Sequence, residues 1–210
     1  MPKASFLTPR VLVAALTVVF SVLGSLAWAQ QSPTMRIRGT IEAVDGPLLT
    51  VKSREGTEIK VRLTDNVAVF GVAKTTISEI KPGSYIGVSA MPEPDGTQRA
   101  LAVQIFPESQ RGVAEGFRPW DLRPNSTMTN ATVAETVAGT DGEIILVKYK
   151  DGEKKVLVPA DTPIVSFVAG DRSELKPGAR IIIFSATRKE DGTLEATRVN
   201  VGRDGITPPM

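Results

Sequence analysis

Cysteine and histidine are both absent from this sequence. Without cysteine there is no disulfide framework, no thiolate nucleophile and no residue to carry a lipoprotein lipid. Without histidine the commonest general base and the commonest transition-metal ligand are missing. Together the two absences exclude structural zinc sites, His-ligated haem, blue copper, and Ser-His-Asp or Cys-His catalysis. A hard, oxygen-ligated ion remains chemically open, but no D-x-D-x-D-G loop with a trailing Glu occurs. The sequence therefore implies no metal site, no cofactor and no catalytic residues. Aromatics are scarce at 5%, and the charges nearly cancel, with 25 Lys+Arg against 23 Asp+Glu. Two of the basic residues, Lys3 and Arg10, lie in the first 29 positions, where no acid occurs. The remainder is balanced at 23 to 23. A balanced chain poor in aromatics has neither the basic footprint nor the stacking platforms that nucleic acid requires.

A second long apolar run is also lacking. Lys3 and Arg10 flank the run Val11 to Leu26, and Ala27-Trp28-Ala29 places small residues where a signal peptidase reads them. This is the pattern of a secretory leader cleaved after Ala29, and it predicts a periplasmic or secreted protein beginning at Gln30. The 16-residue run is short for a spanning helix, which needs about 20 residues. Multi-span transport is excluded for the rest of the chain, since no comparable run occurs after Ala29.

Beyond the leader the chain is written in period two. Ile37, Gly39, Ile41 and Ala43 alternate with Arg38, Thr40 and Glu42. Leu49 and Val51 alternate with Thr50 and Lys52, and Ile59, Val61 and Leu63 with Glu58, Lys60 and Arg62. Asp45-Gly46-Pro47 and Arg54-Glu55-Gly56 separate these runs as turns, giving a three-stranded meander. Val67 to Phe70 reads as a less regular apolar run. A single helical turn over Thr75 to Ile80, capped by Thr76 or Ser78, is followed by Lys81-Pro82-Gly83. Two further strands carry Ile86, Val88 and Ala90, then Leu101, Val103 and Ile105, around an Asp95-Gly96 turn. Five strands with a helical turn between the third and fourth is the order of an OB-like Greek-key barrel.

The same grammar returns downstream. Ser173-Glu174-Leu175-Lys176-Pro177-Gly178 matches Ser78-Glu79-Ile80-Lys81-Pro82-Gly83 at a shift of 95, and Asp191-Gly192-Thr193 matches Asp95-Gly96-Thr97 at 96. Val147-Lys148 matches Val51-Lys52 at 96, while Glu135 and Val137 match Glu42 and Val44 at 93. The Lys-Pro-Gly pairs lack the glycines and the Gly-Lys-Ser/Thr ending of a phosphate loop, so they read as turns before strands. The fold class expected is all-β: two tandem OB-like five-stranded Greek-key barrels joined by an ordered connector. The boundaries are a leader over 1–29, barrels over 30–107 and 132–205, a connector over 108–131, and a surface-lying or mobile tail over 206–210.

Strand, D-G turn, strand, then S-E-(I/L)-K-P-G before a pair closed by D-G-T resembles the small secreted bacterial OB-like domains of unknown function. The connector, with E-G-F-R-P-W-D-L-R-P-N-S-T-M-T-N-A-T-V, resembles a proteobacterial exported group within or near that set. Its members often carry an automatic label of metal transporter permease, and a histidine can stand where this chain has Phe117. The resemblance implies the barrel fold and no catalytic residue, and it raises an accessory role in metal or solute transport as an alternative.

The unduplicated stretch from Arg111 to Thr132 holds the candidate binding residues Phe117, Arg118, Trp120, Asp121 and Arg123. Trp, Phe and Arg together are hot-spot chemistry, and Arg beside Trp permits a cation–π contact. Arg118 or Arg123 is within reach along the chain of Asp121 or Glu115. Two readings stand open: a binding surface, or a plug in which Phe117, Trp120 and Leu122 fill the space between two small barrels. Asn125-Ser126-Thr127 and Asn130-Ala131-Thr132 suit turn caps. The functional expectation is an exported, non-enzymatic module that binds or assembles with an envelope protein, peptide or glycan, with an unrecognised hydrolase as a further alternative.

Overall fold

In a computed structural model of the protein, which describes residues 34–210, the alternating runs form twelve strands in one hydrogen-bonded network. The leader lies outside the described residues. In the first half are β1 (Thr34–Asp45), β2 (Leu48–Ser53), β3 (Glu58–Lys74), β4 (Tyr85–Pro92) and β5 (Gln98–Ile105). The connector contributes β6 (Gly116–Pro119). The second half supplies β7 (Thr127–Gly139), β8 (Gly142–Tyr149), β9 (Gly152–Val158), β10 (Ile164–Ala169), β11 (Arg180–Arg188) and β12 (Leu194–Gly202). Short 3-10 turns over Ile77–Glu79 and Arg172–Glu174 precede β4 and β11, as the repeat requires. Asp171 and Glu174 make a capping box on the second, whereas Thr76 makes no side-chain cap on the first.

The first long strand runs further than its sequence pattern suggested. The irregular apolar run Val67 to Phe70 is the continuation of β3, which is unbroken over 17 residues. Its counterpart divides into β9 and β10 because Pro159 and Pro163 stand between them. Proline has no N–H to give a ladder, and no proline interrupts Glu58 to Lys74.

Pairing closes two five-stranded rings, and each takes strands from both halves. In the first, β1, β2 and β3 are completed by β11 and β12. The β1/β11 pair is antiparallel, with Ile37 opposite Ile183, and β12 runs parallel to β3, with Val199 opposite Val69. In the second, β7, β8 and β9 are completed by β4 and β5, with Ile86 opposite Ala131 and Gln98 opposite Val156. Two barrels in series, each closed by its own half, are therefore not what the pairing builds. The last two strands of each half cross into the ring begun by the other. The crossing is centred on the antiparallel β3/β10 pair, where Val72 lies opposite Phe167. These two positions are equivalent at the repeat shift of 95, so the pair marks a pseudo-two-fold axis.

Ring interiors obey the alternation. Ile37, Ile41, Leu49, Val51 and Val61 meet Ile181, Ile183, Val199 and Val201 in one core. Ile86, Val88 and Val103 meet Val133, Ile145, Val147 and Val156 in the other. Between the rings, Tyr85, Phe106 and Phe167 pack with ring centroids 5.3 and 5.6 Å apart. Bulges recur at equivalent places, after Ile41 and after Val133. They make the true repeat shift 92 in the first strands, so Ala43, not Glu42, is equivalent to Glu135. Leu101, expected to face inward, is instead passed over: Ser89 pairs with Ala102 and Ala90 with Ala100.

The tail, expected to be surface-lying or mobile, lies docked against the fold. Arg54 donates to the Pro208 carbonyl at 3.0 Å, Arg38 Nε donates to that of Met210, and the Met210 side chain is buried with Met128 and Ile182. Among the described residues no helix is long and apolar enough to cross a membrane.

Candidate functional site

The connector leaves β5 through a 3-10 turn over Glu108–Gln110 and then bends at Gly112 and Ala114, both with positive φ (81° and 49°). Positive φ is uncommon for a residue with a Cβ. At Ala114 it turns the carbonyl toward Arg118, which donates to it at 2.8 Å. Residues Gly116–Pro119 then add as β6 to the edge of β7, with Phe117 opposite Thr129 and Arg118 opposite Met128. Alternation along this strand divides the candidates. Phe117 is 40% exposed, with Lys154 Nζ 4.4 Å from its ring centre, while Arg118 and Trp120 are half-buried. The loop after Trp120 is tied off by Ser126, whose carbonyl accepts from Trp120 N at 2.7 Å and whose hydroxyl accepts from Arg123 N at 3.0 Å. The Arg123 side chain is exposed.

Trp120 is the centre of a cationic cluster. The Arg36 guanidinium lies 3.6 Å from the centre of its ring, with Arg118 at 5.6 Å and Arg38 at 6.0 Å. Phe184 packs at 6.3 Å. Asp121 does not pair within the connector, as its neighbours in the chain had suggested; its partners come from β1. Arg36 approaches at 2.6 Å, and Arg38 donates to both carboxylate oxygens at 2.7 and 3.3 Å. Burial opposes ionisation of Asp121, but the hydrogen bonds from Arg38 and Arg36 outweigh it and hold the carboxyl down at about 2.

Beside Trp120 lies a cleft of about 530 Å³ walled by Phe106, Phe167, Phe184 and Met128, with Arg36, Arg118 and Arg198 on its lining. No carboxylate among the described residues lines it. Arg198 sits 4.7 Å from the Phe70 ring centre and donates to Gln110 at 3.2 Å. Burial lowers the pKa of both Arg118 and Arg198, and the charge of Arg36 lowers that of Arg118 further. A guanidinium stays charged regardless, so the cleft holds positive charge in a partly dry setting.

A polar row crosses the sheet on the same lining. Gln104, Gly87 and Asn130 are successive partners across β5, β4 and β7. A side chain at Gly87 would meet Gln104 Nε2 at 2.6 Å and Asn130 Oδ1 at 2.9 Å, so the glycine is what admits both amides. Both are only 3% exposed. Asn130 Nδ2 donates to the Val113 carbonyl at 3.1 Å, which also receives the Tyr85 hydroxyl at 3.1 Å. Burial, then Glu115, pushes the pKa of that hydroxyl up to about 12. Asn130 Oδ1, Gln104 Oε1, Trp120 Nε1 and Arg36 Nε are buried with no partner among the described residues. A buried polar atom left unpaired costs about 1–3 kcal/mol, and four of them border one cleft.

Of the sequence candidates, the fold brings Arg118, Trp120 and Asp121 together and leaves Phe117 and Arg123 outward. Arg36, Arg38, Gln104, Asn130 and Arg198 join from strands, and sequence reasoning missed them. Period two marks Arg38 as facing away from its ring, which it does. That face is covered by the connector and the tail, which no local pattern reveals. No protein-family model, curated protein or solved structure matches the chain.

Proposed function

We propose that this chain is an exported, non-enzymatic binding protein built on two interleaved OB-type rings, with the cleft beside Trp120 as its ligand site. Strand order supports the OB reading. Each ring runs first, second, third, fifth, fourth, with the third and fifth strands parallel. The leader before Gln30 supports export.

The observation that carries the function is the cleft lining, where Arg118 and Arg198 meet no carboxylate among the described residues, Arg36 being paired with Asp121, and four buried polar atoms have no partner there. Its volume lies in the range of small-molecule sites, about 300–1,000 Å³. The site has donors, a cationic field and apolar walls but no nucleophile–base pair, which suits recognition without turnover. A fragment library screened by two-dimensional NMR tests this. Perturbations should gather on the Trp120 indole and on the Asn130 and Gln104 amides. A library that leaves those resonances unmoved, or moves only those of Phe117 and other outward residues, would sink the reading.

A further inference from the structure

The lining of the cleft specifies the chemistry of a ligand as well as its presence, provided that the cleft is the ligand site, on which this inference rests. Positive charge is in excess. Asp121 answers Arg36 and Arg38, whereas among the described residues Arg118 and Arg198 each donate only to a neutral oxygen, the Ala114 carbonyl and the Gln110 amide. Charge-assisted hydrogen bonds from guanidinium to a carboxylate or similar group are strong and geometrically selective. The walls between the arginines are aromatic, with Phe167 and Phe184 at 6.3 Å and Phe106 and Phe167 at 5.6 Å. That surface suits one ring-sized apolar body.

The third element is the orientation of Asn130. Its Nδ2 is committed to the Val113 carbonyl, so the free atom is Oδ1, an acceptor. It waits for a donor. The equivalent row in the other ring differs: Arg38, Ile182 and Asn200 are successive partners there. Ile182, 1% exposed, occupies the position that Gly87 holds in this row, and Asn200 donates to its carbonyl. An isoleucine side chain fills that position in one ring, whereas in the other the Gln104 and Asn130 amides close over the glycine.

We infer that the cleft binds an amphipathic organic anion: an acidic headgroup on Arg118 and Arg198, an apolar ring among the phenylalanines, and a hydroxyl or N–H donated to Asn130 Oδ1. A site that hydrogen-bonds a ligand hydroxyl discriminates strongly against the analogue lacking it.

The test is calorimetric titration of the purified protein, monitored in parallel by Trp120 emission, with Trp28→Phe introduced if the leader is retained. The probes are 3-(4-hydroxyphenyl)propionate, its uncharged amide, 3-phenylpropionate, and inorganic phosphate. The hydroxylated acid should bind one to one and at least tenfold more tightly than each of the other three. Arg118→Gln and Arg198→Gln should each weaken it about tenfold or more, and exposed Arg123→Gln should leave it unchanged. Should either cleft variant fold poorly, wild-type affinity measured against salt gives the same answer, falling for the acid and staying level for the amide.

Equal binding of acid and amide would overturn the anionic headgroup while leaving the cleft as a site. Phosphate binding as tightly as the acid would overturn the amphipathic body. If 3-phenylpropionate equals the hydroxylated acid, the donor to Asn130 is overturned. If none of the four binds, the inference fails, and the fragment screen then decides whether the cleft fails with it.

Discussion

At the scale of single residues, the chemistry of the cleft depends on which partners long-range pairing supplies to Trp120 and Asp121. Stacking of Arg36 on the indole at 3.6 Å exceeds what a lone connector arginine provides, and it is held in place by the same carboxylate that binds Arg38. Asp121 makes this arrangement sensitive to acid. Its pKa in the fold, about 2, lies below the ordinary 3.8. The stability linked to its charge is therefore complete above about pH 4 and is lost as pH falls from about 4 through 2. The carboxylate is half exposed, so the expected effect is local loosening and not global unfolding. A pH titration of Trp120 emission should show a step centred near 2. Arg38→Gln should move that step up toward 3.8; a step unchanged in the variant would show that the pair does not set it. Arg118 and Trp120 were legible as candidates because Arg and Trp together are hot-spot residue types. Asn130 was visible only as a turn cap, since nothing local shows that its amide is buried against Val113.

Elements carry the next layer. Period-two alternation located the ring strands it was applied to, because their inner faces are buried and their outer faces charged, but it stopped β3 short and left the start of β7 inside the connector. It failed where geometry departs from the regular pleat. The bulges after Ile41, Val133 and Ser89 change which side chain faces inward without leaving a mark in composition. Gly202 shows how one position can hold a whole segment. A Cβ there would run into the Ile206 carbonyl, so the tail lies directly on β12. The tail's buried Met210 is worth about 1.5–3 kcal/mol. Gly202→Ala is expected to release residues 203–210, redden Trp120 emission, and lower the melting temperature by roughly 3–12 °C. Hydrogen exchange that leaves the Ile206 amide as protected as in the wild type would contradict this. Gly and Pro content led to the expectation of a surface-lying or mobile tail; Arg54, Arg38 and Arg180 donate to its carbonyls.

For the whole molecule, strand exchange makes the two halves interdependent. Ile181, Ile183, Val199 and Val201 are each no more than 2% exposed in a ring begun by β1 to β3. Burying them contributes about 1.5–3 kcal/mol apiece, a sum on the scale of the entire stability of a domain, about 5–15 kcal/mol. Residues 30–107 expressed alone should therefore not be a folded monomer. Two copies can complete each other's rings by the same exchange, so the expected species is a dimer or an unfolded chain. A folded monomer by sedimentation with native-like strand content would refute the interdependence. Mixing the 30–107 and 108–210 pieces should restore a one-to-one complex with Trp120 emission like that of the intact protein.

Composition and periodicity by themselves determined that this protein is rich in β strand, that its two halves share a run of matching residues, and that it has no thiol or imidazole side chain. Those properties are local: a strand's alternation and a missing residue type need no partner to be read. Only the tertiary structure decided which half closes which ring, that Asp121 pairs with β1, and that the Gln104 and Asn130 amides close over Gly87 where the other ring carries Ile182. The exchanged and unexchanged topologies bury the same inward-facing residues from the same repeats, so the hydrophobic pattern cannot distinguish them. The distinction lies in the path of β3 and β10 across the axis, where unbroken backbone carries each half into its neighbour.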